Sequence, residues 1–314
     1  MRMMLSVPGD TVIPMTAPLG RVLTAMVTPM TPDGCVDLDA AAALATYLVD
    51  QGNDGLVVNG TTGESATTSD DEKLALLEAV VAAVGSRATV IAGVGTNDTA
   101  HTLELARQAH GAGVDALLVV TPYYNKPPQE GLLAHFTAVA DATPLPNVLY
   151  DIPGRSGVPI ATDTLLRLGA HPRIVAVKDA KGDFWGATKV MAQTDLLWYS
   201  GNDADDLLHL ALGATGFIGV TSHIATPQYV QMLQAWDAGD VQRAREIHRE
   251  LVPVVDAVMN ITQGAIMSKA ALVELGVLRH LEVRLPLVPA SPEQRTLLAA
   301  GMNASGVGQA AVAR

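Results

Sequence analysis

The sequence contains a single cysteine, Cys35, which excludes a disulfide within the chain. Its eight histidines are scattered without an H-x-x-x-H spacing, and no C-x-x-C pair occurs. The residue types that usually bind zinc are therefore not grouped along the sequence. These absences predict a reducing compartment and a site without a metal ion.

Basic clusters and long apolar runs are also missing. No run of Lys and Arg exceeds two residues, and the net charge is -12, so we expect no nucleic-acid or anionic-membrane partner. No uninterrupted stretch of about 18 apolar residues, the length of a membrane-spanning helix, is present. Pro8, Asp10 and Pro14 interrupt the N-terminal apolar patch, unlike a signal peptide. The sequence predicts a cytoplasmic protein.

The 314-residue chain does contain a regular alternation of short apolar runs with helical patterns. The runs are apolar on both faces, and the segments between them have apolar residues at i, i+3, i+4 spacing. This alternation predicts an α/β protein, a closed parallel (β/α)₈ TIM barrel, with an open doubly wound sheet as the alternative. The eight candidate strands are 22–27, 56–58, 90–94, 116–120, 147–150, 174–177, 196–199 and 217–220.

The same pattern predicts four segments of the chain. Residues 1–20 form an N-terminal extension, and residues 21–240 form the barrel with the active site. The alternation stops after Val220, and helical patterns at 241–259, 265–275 and 291–300 predict a C-terminal helical region over 241–302. The Gly- and Ala-rich residues 303–314 are expected to be disordered. Ser69, Asp98 and Thr162 mark predicted helix starts.

Polar clusters follow four of the predicted strands. They lie at 60–64, 121–125, 150–151 and 178–179, after the second, fourth, fifth and sixth strands. In a (β/α)₈ barrel the C-terminal ends of the strands surround one pocket. The four clusters are therefore expected to face the same space.

Lys178 closes the apolar run 174–177. Burial disfavours the charged form of lysine and lowers its pKa, as an amine nucleophile requires near neutral pH. A lysine that extends to the barrel rim or pairs with Asp179 is the alternative. The other three polar clusters favour the interpretation of Lys178 as a nucleophile.

The neighbouring clusters offer complementary chemistry. Thr61 and Thr62 lie in a Gly-flanked turn that can hold a carboxylate or cap a helix, but it lacks the G-K-[ST] of a phosphate loop. Tyr124 and Tyr150 can relay protons or make ordinary hydrogen bonds. Arg155 suits a substrate carboxylate or a surface ion pair.

Four ordered segments, 60–65, 120–127, 149–155 and 177–180, together resemble the dihydrodipicolinate synthase family of pyruvate-dependent Schiff-base aldolases. The resemblance runs from about residue 20 to the C-terminal helices. It implies 4-hydroxy-tetrahydrodipicolinate synthase activity, a lyase reaction of the class I aldolase type. Pyruvate would condense with L-aspartate 4-semialdehyde in the diaminopimelate route to lysine, with no cofactor or catalytic metal.

The resemblance also assigns roles to matching residues. Lys178 would form the Schiff base, and Tyr150, Thr61 and Tyr124 would relay protons, with Tyr124 inserted from a neighbouring subunit. A tyrosine donated in this way implies a homo-oligomer, commonly a homotetramer built as a dimer of dimers. The expected substrate-binding residues are Thr61 and Thr62 for the pyruvate carboxylate, Arg155 for the aldehyde carboxylate, Gly201, and the backbone of Ile218.

Three positions depart from the common family pattern. Many relatives have Asp where this chain has Asn202, Ser where it has Gly219, and Asn where it has Asp151. None of these differences removes a predicted catalytic group.

Two kinds of alternative function remain at the level of sequence. N-acetylneuraminate lyases and 2-keto-3-deoxy-gluconate aldolases use the same lysine and pyruvate, but a polyol substrate would call for more hydroxyl-binding groups. A keto-acid sensor on the same barrel would keep the pocket without the chemistry. The intact set of predicted catalytic residues favours an enzyme over a sensor.

We predict weak or absent inhibition by lysine. Relatives inhibited by lysine typically have histidine at the positions of Asp70 and Lys73 and glutamate at that of His101, so lysine here would lose a counter-charge and meet a like charge. That change is worth a few kcal/mol in a partly buried site. Half-inhibition by sub-millimolar lysine in a turnover assay would refute the prediction. The matching positions are Ser65, Ala66, Asp70, Lys73, Asn97, His101 and Tyr123.

Overall fold

Residues 18–308 are described by a computed structural model. Within them, eight parallel strands pair in sequence order, and β1 pairs with β8 to close a barrel. This closure confirms the (β/α)₈ prediction and excludes the open sheet. The strands are Val22–Ala25 (β1), Gly55–Val58 (β2), Thr89–Gly93 (β3), Ala116–Val120 (β4), Asn147–Asp151 (β5), Ile174–Asp179 (β6), Leu197–Ser200 (β7) and Gly216–Gly219 (β8).

Helices follow the strands and cover the outside of the barrel. Ser69 and Asp98 cap the second and third of them, as predicted, whereas the helix that begins at Thr162 has no side-chain cap. The helices of the described chain are Leu38–Asp50 (α1), Asp70–Val84 (α2), Thr99–Gly111 (α3), Gln129–Ala142 (α4), Pro153–Ser156 (α5), Thr162–Leu168 (α6), Phe184–Met191 (α7), Asp206–Leu212 (α8), Ser222–Asp237 (α9), Val241–Met259 (α10), Gly264–Glu274 (α11) and Pro292–Ala304 (α12).

The strands are continuously apolar because both of their faces are buried. Val57 and Leu118 point into the barrel, where they join one apolar cluster. Their neighbours Leu56, Val58 and Leu117 point outward and pack in a second cluster with the helices. Alternate strand residues therefore fill two separate cores, one inside the barrel and one beneath the helices. Because neither face of the strands meets solvent, the runs are apolar at successive positions.

The helix α9 was not predicted, and the expectation that regular alternation stops at Val220 was wrong. This helix follows β8 and completes the eighth strand–helix unit. It contains Pro227 and a non-helical Ala225, with φ -124° and ψ 21°. Because proline removes a helical hydrogen bond, the sequence of residues 222–237 does not indicate a continuous helix.

The three C-terminal helices lie close to their predicted positions. The last of them, α12, continues to Ala304, and Val307 beyond it is buried. Residues 1–17 of the predicted extension and 309–314 of the predicted disordered tail lie outside the described residues. The predicted segment boundaries stay predictions.

A buried ion pair connects the C-terminal region to the top of the barrel. Lys269 of α11 donates to Glu64 Oε1 at 2.6 Å and to the carbonyl of Glu282 at 2.6 Å. The backbone N–H of Arg284 donates to the other oxygen of Glu64 at 2.9 Å. Because Glu64 ends the turn that contains Thr61, the C-terminal region helps to fix that turn. An unpaired charge left here would cost about 3–5 kcal/mol.

Within residues 18–308, no single helix is long and apolar enough to cross a membrane. Helices α10 and α11 reach the length and apolar content of a membrane-spanning segment only when they are taken together, and a 110° bend separates them.

Candidate active site

Lys178 and Tyr150 lie side by side on neighbouring strands. They are register partners of β5 and β6, and the Lys178 Nζ lies 4.3 Å from the centroid of the Tyr150 ring. Both side chains are buried, at 4% and 6% exposure. The predicted sixth strand ended at residue 177, directly before Lys178. In the structure β6 extends to Asp179, so Lys178 lies within the strand. The side chain of Lys178 therefore leaves the backbone within the wall of the barrel.

Burial lowers the pKa of Lys178 to about 8. The charge of Asp203 opposes this shift, and that of Arg155 adds to it. A substantial share of the amine is therefore neutral near physiological pH, as nucleophilic attack on a carbonyl requires.

Asp179 has partners other than Lys178. Its carboxylate accepts hydrogen bonds from Trp198 Nε1 at 3.2 Å and from the backbone N–H of Lys181 at 2.8 Å. These contacts favour the nucleophile reading over the alternative in which Lys178 pairs with Asp179.

Tyr150 keeps its proton at neutral pH. Burial raises its pKa to about 12, with Arg155 opposing the shift and Asp203 adding to it. A protonated phenol beside the lysine can donate a proton to a developing alkoxide and take it back in a later step.

The turn after β2 is held in a fixed shape by backbone hydrogen bonds. The N–H groups of Gly63 and Ser65 donate to the carbonyl of Gly60 at 3.0 and 3.4 Å. A Cβ atom at Gly63 would approach the carbonyl of Met26 to 3.1 Å, so glycine permits this close packing. The N-cap of α2 is Ser69, so the turn does not cap that helix. The carboxylate-binding interpretation is favoured.

A cavity of about 210 Å³ brings three of the predicted residues together at the C-terminal end of the barrel. Thr61, Tyr150 and Arg155 line it, and Tyr123 lines its edge from the loop after β4. Arg155 is exposed and lies on the short helix α5, which directly follows β5. The cavity thus has a hydroxyl, a phenol and a guanidinium around one space, and Tyr150 connects it to Lys178, whose Nζ lies 4.3 Å from the ring centroid.

Lys178 itself does not line this cavity, and neither do three of the predicted substrate-binding residues. Thr62 is buried within the turn, and Ile218 is fully buried in the barrel interior. Gly201 lies against Lys178: a Cβ atom there would be 3.0 Å from Lys178 Cγ and 3.1 Å from Cε. Glycine at this position therefore leaves room for the lysine side chain.

Tyr124 does not line the cavity of its own chain and is 88% exposed. Its backbone has φ 75°, a left-handed conformation that is strained for a residue with a side chain. Its N–H donates to the carbonyl of Ser156 at 3.2 Å. A large aromatic side chain is thus fixed at its base and presented outward.

Two buried carboxyl groups near Lys178 were missed as site residues. Asp203 accepts from the N–H of Thr221 at 2.7 Å and from the Tyr229 hydroxyl at 3.3 Å. Neither oxygen of Asp206 has a hydrogen-bond partner within residues 18–308. Burial, and to a lesser extent the charge of Asp203, raises the pKa of Asp206 well above the ordinary carboxyl value. Asp203 follows a strand end, a signal that could have identified it.

In the part of the chain that the structure describes, no group of three or more His, Cys, Asp and Glu side chains could hold a metal ion.

A second cavity, of about 230 Å³, adjoins the first and contains a closed set of charges. Lys73 Nζ donates to the carbonyl of Thr68 at 2.6 Å and to Asp70 Oδ1 at 3.3 Å. The other oxygen of Asp70 lies 2.8 Å from His101 Nε2. Among residues 18–308, Asp70 is the only carboxylate that lines this cavity, and it already has two partners. The predicted insensitivity to lysine is consistent with this arrangement.

The barrel and the buried, partly neutral Lys178 at the C-terminal end of a strand define a lysine-dependent lyase of the class I aldolase type. The chain belongs to the dihydrodipicolinate synthetase family, which matches residues 18–305.

Individual relatives are similar over nearly the whole chain. The 4-hydroxy-tetrahydrodipicolinate synthase of Kineococcus radiotolerans is 61% identical over 93% of this chain and 95% of its own length. The crystal structure of the Cyanidioschyzon merolae dihydrodipicolinate synthase with lysine bound has a TM-score of 0.89 at 39% identity, covering 92% of this chain and 99% of that one. A monomeric dihydrodipicolinate synthase variant has a TM-score of 0.88 at 37% identity, covering 92% and 98%.

Formation of the pyruvate adduct should depend on pH through Lys178. At pyruvate concentrations well below saturation, the rate of adduct formation followed by borohydride trapping should rise with pH and level off above about 8, where the free amine becomes neutral. Arg155→Met should move the midpoint upward, because the positive charge of Arg155 favours the neutral amine. A rate that keeps rising to about pH 10, the range of an ordinary lysine, would contradict the account.

Proposed function

We propose that the chain condenses pyruvate with L-aspartate 4-semialdehyde, as a 4-hydroxy-tetrahydrodipicolinate synthase in the diaminopimelate route to lysine. The observation that carries the proposal is the buried Lys178 beside Tyr150, which lines a cavity together with Thr61 and Arg155, in a chain 61% identical to a relative of that name. A cytoplasmic location stays a prediction from the sequence.

In the first step, the neutral amine of Lys178 attacks the keto carbon of pyruvate. The carbonyl oxygen becomes a hydroxyl and leaves as water, so it must be protonated twice, once as the carbinolamine forms and once as it breaks down. Tyr150 lies beside Lys178 Nζ and holds a proton, and Thr61 can connect it to the neighbouring subunit's Tyr124. These three hydroxyls form the proposed proton relay.

Pyruvate also needs a site for its carboxylate. The turn that contains Thr61 and Thr62 offers hydroxyl and backbone N–H donors. The backbone of Ile218 and the small Gly201 would lie beside the keto acid, where Gly201 already leaves space around Lys178. This placement would orient the keto carbon toward the amine.

The second step joins the two substrates. Loss of a methyl proton from the Schiff base gives an enamine, whose carbon attacks the aldehyde carbon of the semialdehyde. Arg155, exposed at the cavity wall, would bind the carboxylate of that substrate. The amino group of the semialdehyde then displaces Lys178 at the keto carbon, which closes the ring and frees the amine.

The lining of the cavity favours a short acidic aldehyde over a polyol. Leu118, Val120 and Ile152 form an apolar wall, and of the residues that the structure describes Arg155 is the only cationic one that lines the space. The long sugar acids cleaved by related aldolases would need more hydroxyl-binding partners than this wall offers.

A coupled assay with pyruvate and aspartate semialdehyde tests the function. Wild-type protein should turn over, and Lys178→Ala should lose on the order of 10³-fold or more in kcat because it removes the nucleophile. Arg87→Ala, which removes an exposed basic side chain at the opposite end of the barrel, is the control and should keep full activity. Equal activity of wild type and Lys178→Ala would end the proposal. Pyruvate binding without a covalent adduct would favour the keto-acid sensor.

Tyr124 supports a homo-oligomer, which we propose to be a homotetramer built as a dimer of dimers. Its ring is presented outward, away from its own cavity. A second surface of the chain is also apolar: Trp185, Leu208 and Val252 are exposed on α7, α8 and α10. Two separate surfaces would allow one contact within a dimer and another between dimers.

Mixed oligomers test whether Tyr124 crosses the interface. Tyr124→Ala and Lys178→Ala should each be nearly inactive. When equal amounts are refolded together, half of the dimers are mixed and half of the sites in each mixed dimer are complete, so about a quarter of wild-type activity should return. Mixing Tyr150→Phe with Lys178→Ala should recover nothing, since both groups come from one chain. If the first mixture stays as inactive as its components, Tyr124 is not donated across an interface.

A further inference from the structure

We propose that Asp151 and Lys181 form a positioning pair that holds the loop of Arg155 in place for the second substrate. The inference rests on the proposed function, because it assigns Arg155 to the semialdehyde. Neither residue lines the active-site cavity, and both side chains bond to the backbone of Ile160, so the pair would act through the loop and not by contact with substrate.

The two side chains form a buried ion pair immediately next to the catalytic strands. Lys181 Nζ lies 3.2 Å from Asp151 Oδ2, and the side chains are 11% and 1% exposed. Asp151 directly follows Tyr150, and Lys181 is three residues beyond Lys178. The position of Lys181 does not depend on the pair alone, because its backbone N–H donates to Asp179.

Both members of the pair bind the same residue at the far end of the loop. The N–H of Ile160 donates to both carboxylate oxygens of Asp151, each at 3.2 Å. The carbonyl of Ile160 accepts from Lys181 Nζ at 3.0 Å. Ile160 is fully buried, so its backbone groups have no water to replace these partners. The pair thus fixes one point of the backbone through both its donor and its acceptor.

The loop between Asp151 and Ile160 carries Arg155. It leaves the barrel at β5, forms the short helix α5, and returns to the barrel at Ile160. Ser156 Oγ tightens the loop internally by donating to the carbonyls of Ile152 and Val158 at 3.1 and 3.0 Å. The strand therefore fixes the start of the loop. Its return is fixed by the ion pair at Ile160 and by Gln129, whose side chain donates to the carbonyl of Pro159 and accepts from the N–H of Ala161, each at 2.9 Å.

The loss of one partner should affect the loop more than the barrel. Without Lys181, Asp151 would be a buried carboxyl without its ion partner, and the carbonyl of Ile160 would lose its charged donor. Burial already raises the pKa of Asp151 to about 6, and Lys181 opposes that rise, so the lysine helps to keep the carboxylate ionised. Lys178 and Tyr150 lie within strands and would keep their places. The defect should therefore appear with the aldehyde and not with pyruvate.

Steady-state kinetics of Lys181→Met test this separation. We expect the KM for aspartate semialdehyde to rise on the order of tenfold, because a displaced guanidinium binds the carboxylate poorly. The KM for pyruvate and the extent of borohydride trapping should stay within about twofold of wild type. Arg87→Met, which removes an exposed basic side chain at the opposite end of the barrel, should leave every value unchanged. Equal losses with both substrates would overturn the proposal in favour of a general structural role.

A second comparison asks whether the effect passes through Arg155. In an Arg155→Met background, Lys181→Met should add no further rise in the KM for the aldehyde, because the group that it positions is already absent. A further tenfold rise in that background would overturn the assignment. Asp151→Asn/Lys181→Met should be no worse than Lys181→Met alone, since it leaves no unpaired charge.

Hydrogen exchange gives a readout that does not depend on turnover. In Lys181→Met the amide of Ile160 and the loop 152–160 should exchange faster than in wild type, with the amides of β5 and β6 unchanged. Unchanged exchange in the loop would overturn the pair's role and leave the proposed function intact. Wild-type protein that traps pyruvate but does not turn over aspartate semialdehyde would instead overturn the proposed function, and with it the substrate assigned to Arg155.

Discussion

The site depends on one unfavourable placement, the amine of Lys178 inside the wall of an apolar barrel. Burial disfavours the ammonium form and brings its pKa to about 8, so the lysine can act as a nucleophile near neutral pH. Tyr150 experiences the same burial with the opposite consequence, because a phenol loses its charge when protonated. One physical effect therefore prepares both an amine without a proton and a phenol with one.

The remaining groups are held by separate means, according to how far they lie from the strands. Lys178 and Tyr150 belong to paired strands, which leave them little freedom. The turn with Thr61 is fixed from outside the barrel by the buried pair of Glu64 and Lys269. In the proposed account, Asp151 and Lys181 do the same for the loop of Arg155. Each of these two segments thus has its own buried charge pair.

The sequence predicted the barrel and the position of Lys178 well, because apolar strands buried on both faces leave a direct pattern. It failed where the relevant contact is distant or hidden. The helix α9 was missed since Pro227 interrupts its pattern, and Asp206 was missed since its burial beside Asp203 appears only in three dimensions. The residues Asp151 and Lys181 are 30 positions apart, and no local pattern indicates that they meet at Ile160.

The central claim is that Lys178, and no other lysine, forms the covalent adduct with pyruvate. Peptide mapping by mass spectrometry after borohydride reduction in the presence of pyruvate tests it most directly. The account predicts one reduced pyruvate adduct per chain, on the peptide that contains Lys178. An adduct on Lys73 or Lys181 in its place, or no adduct under conditions where the enzyme turns over, would contradict it.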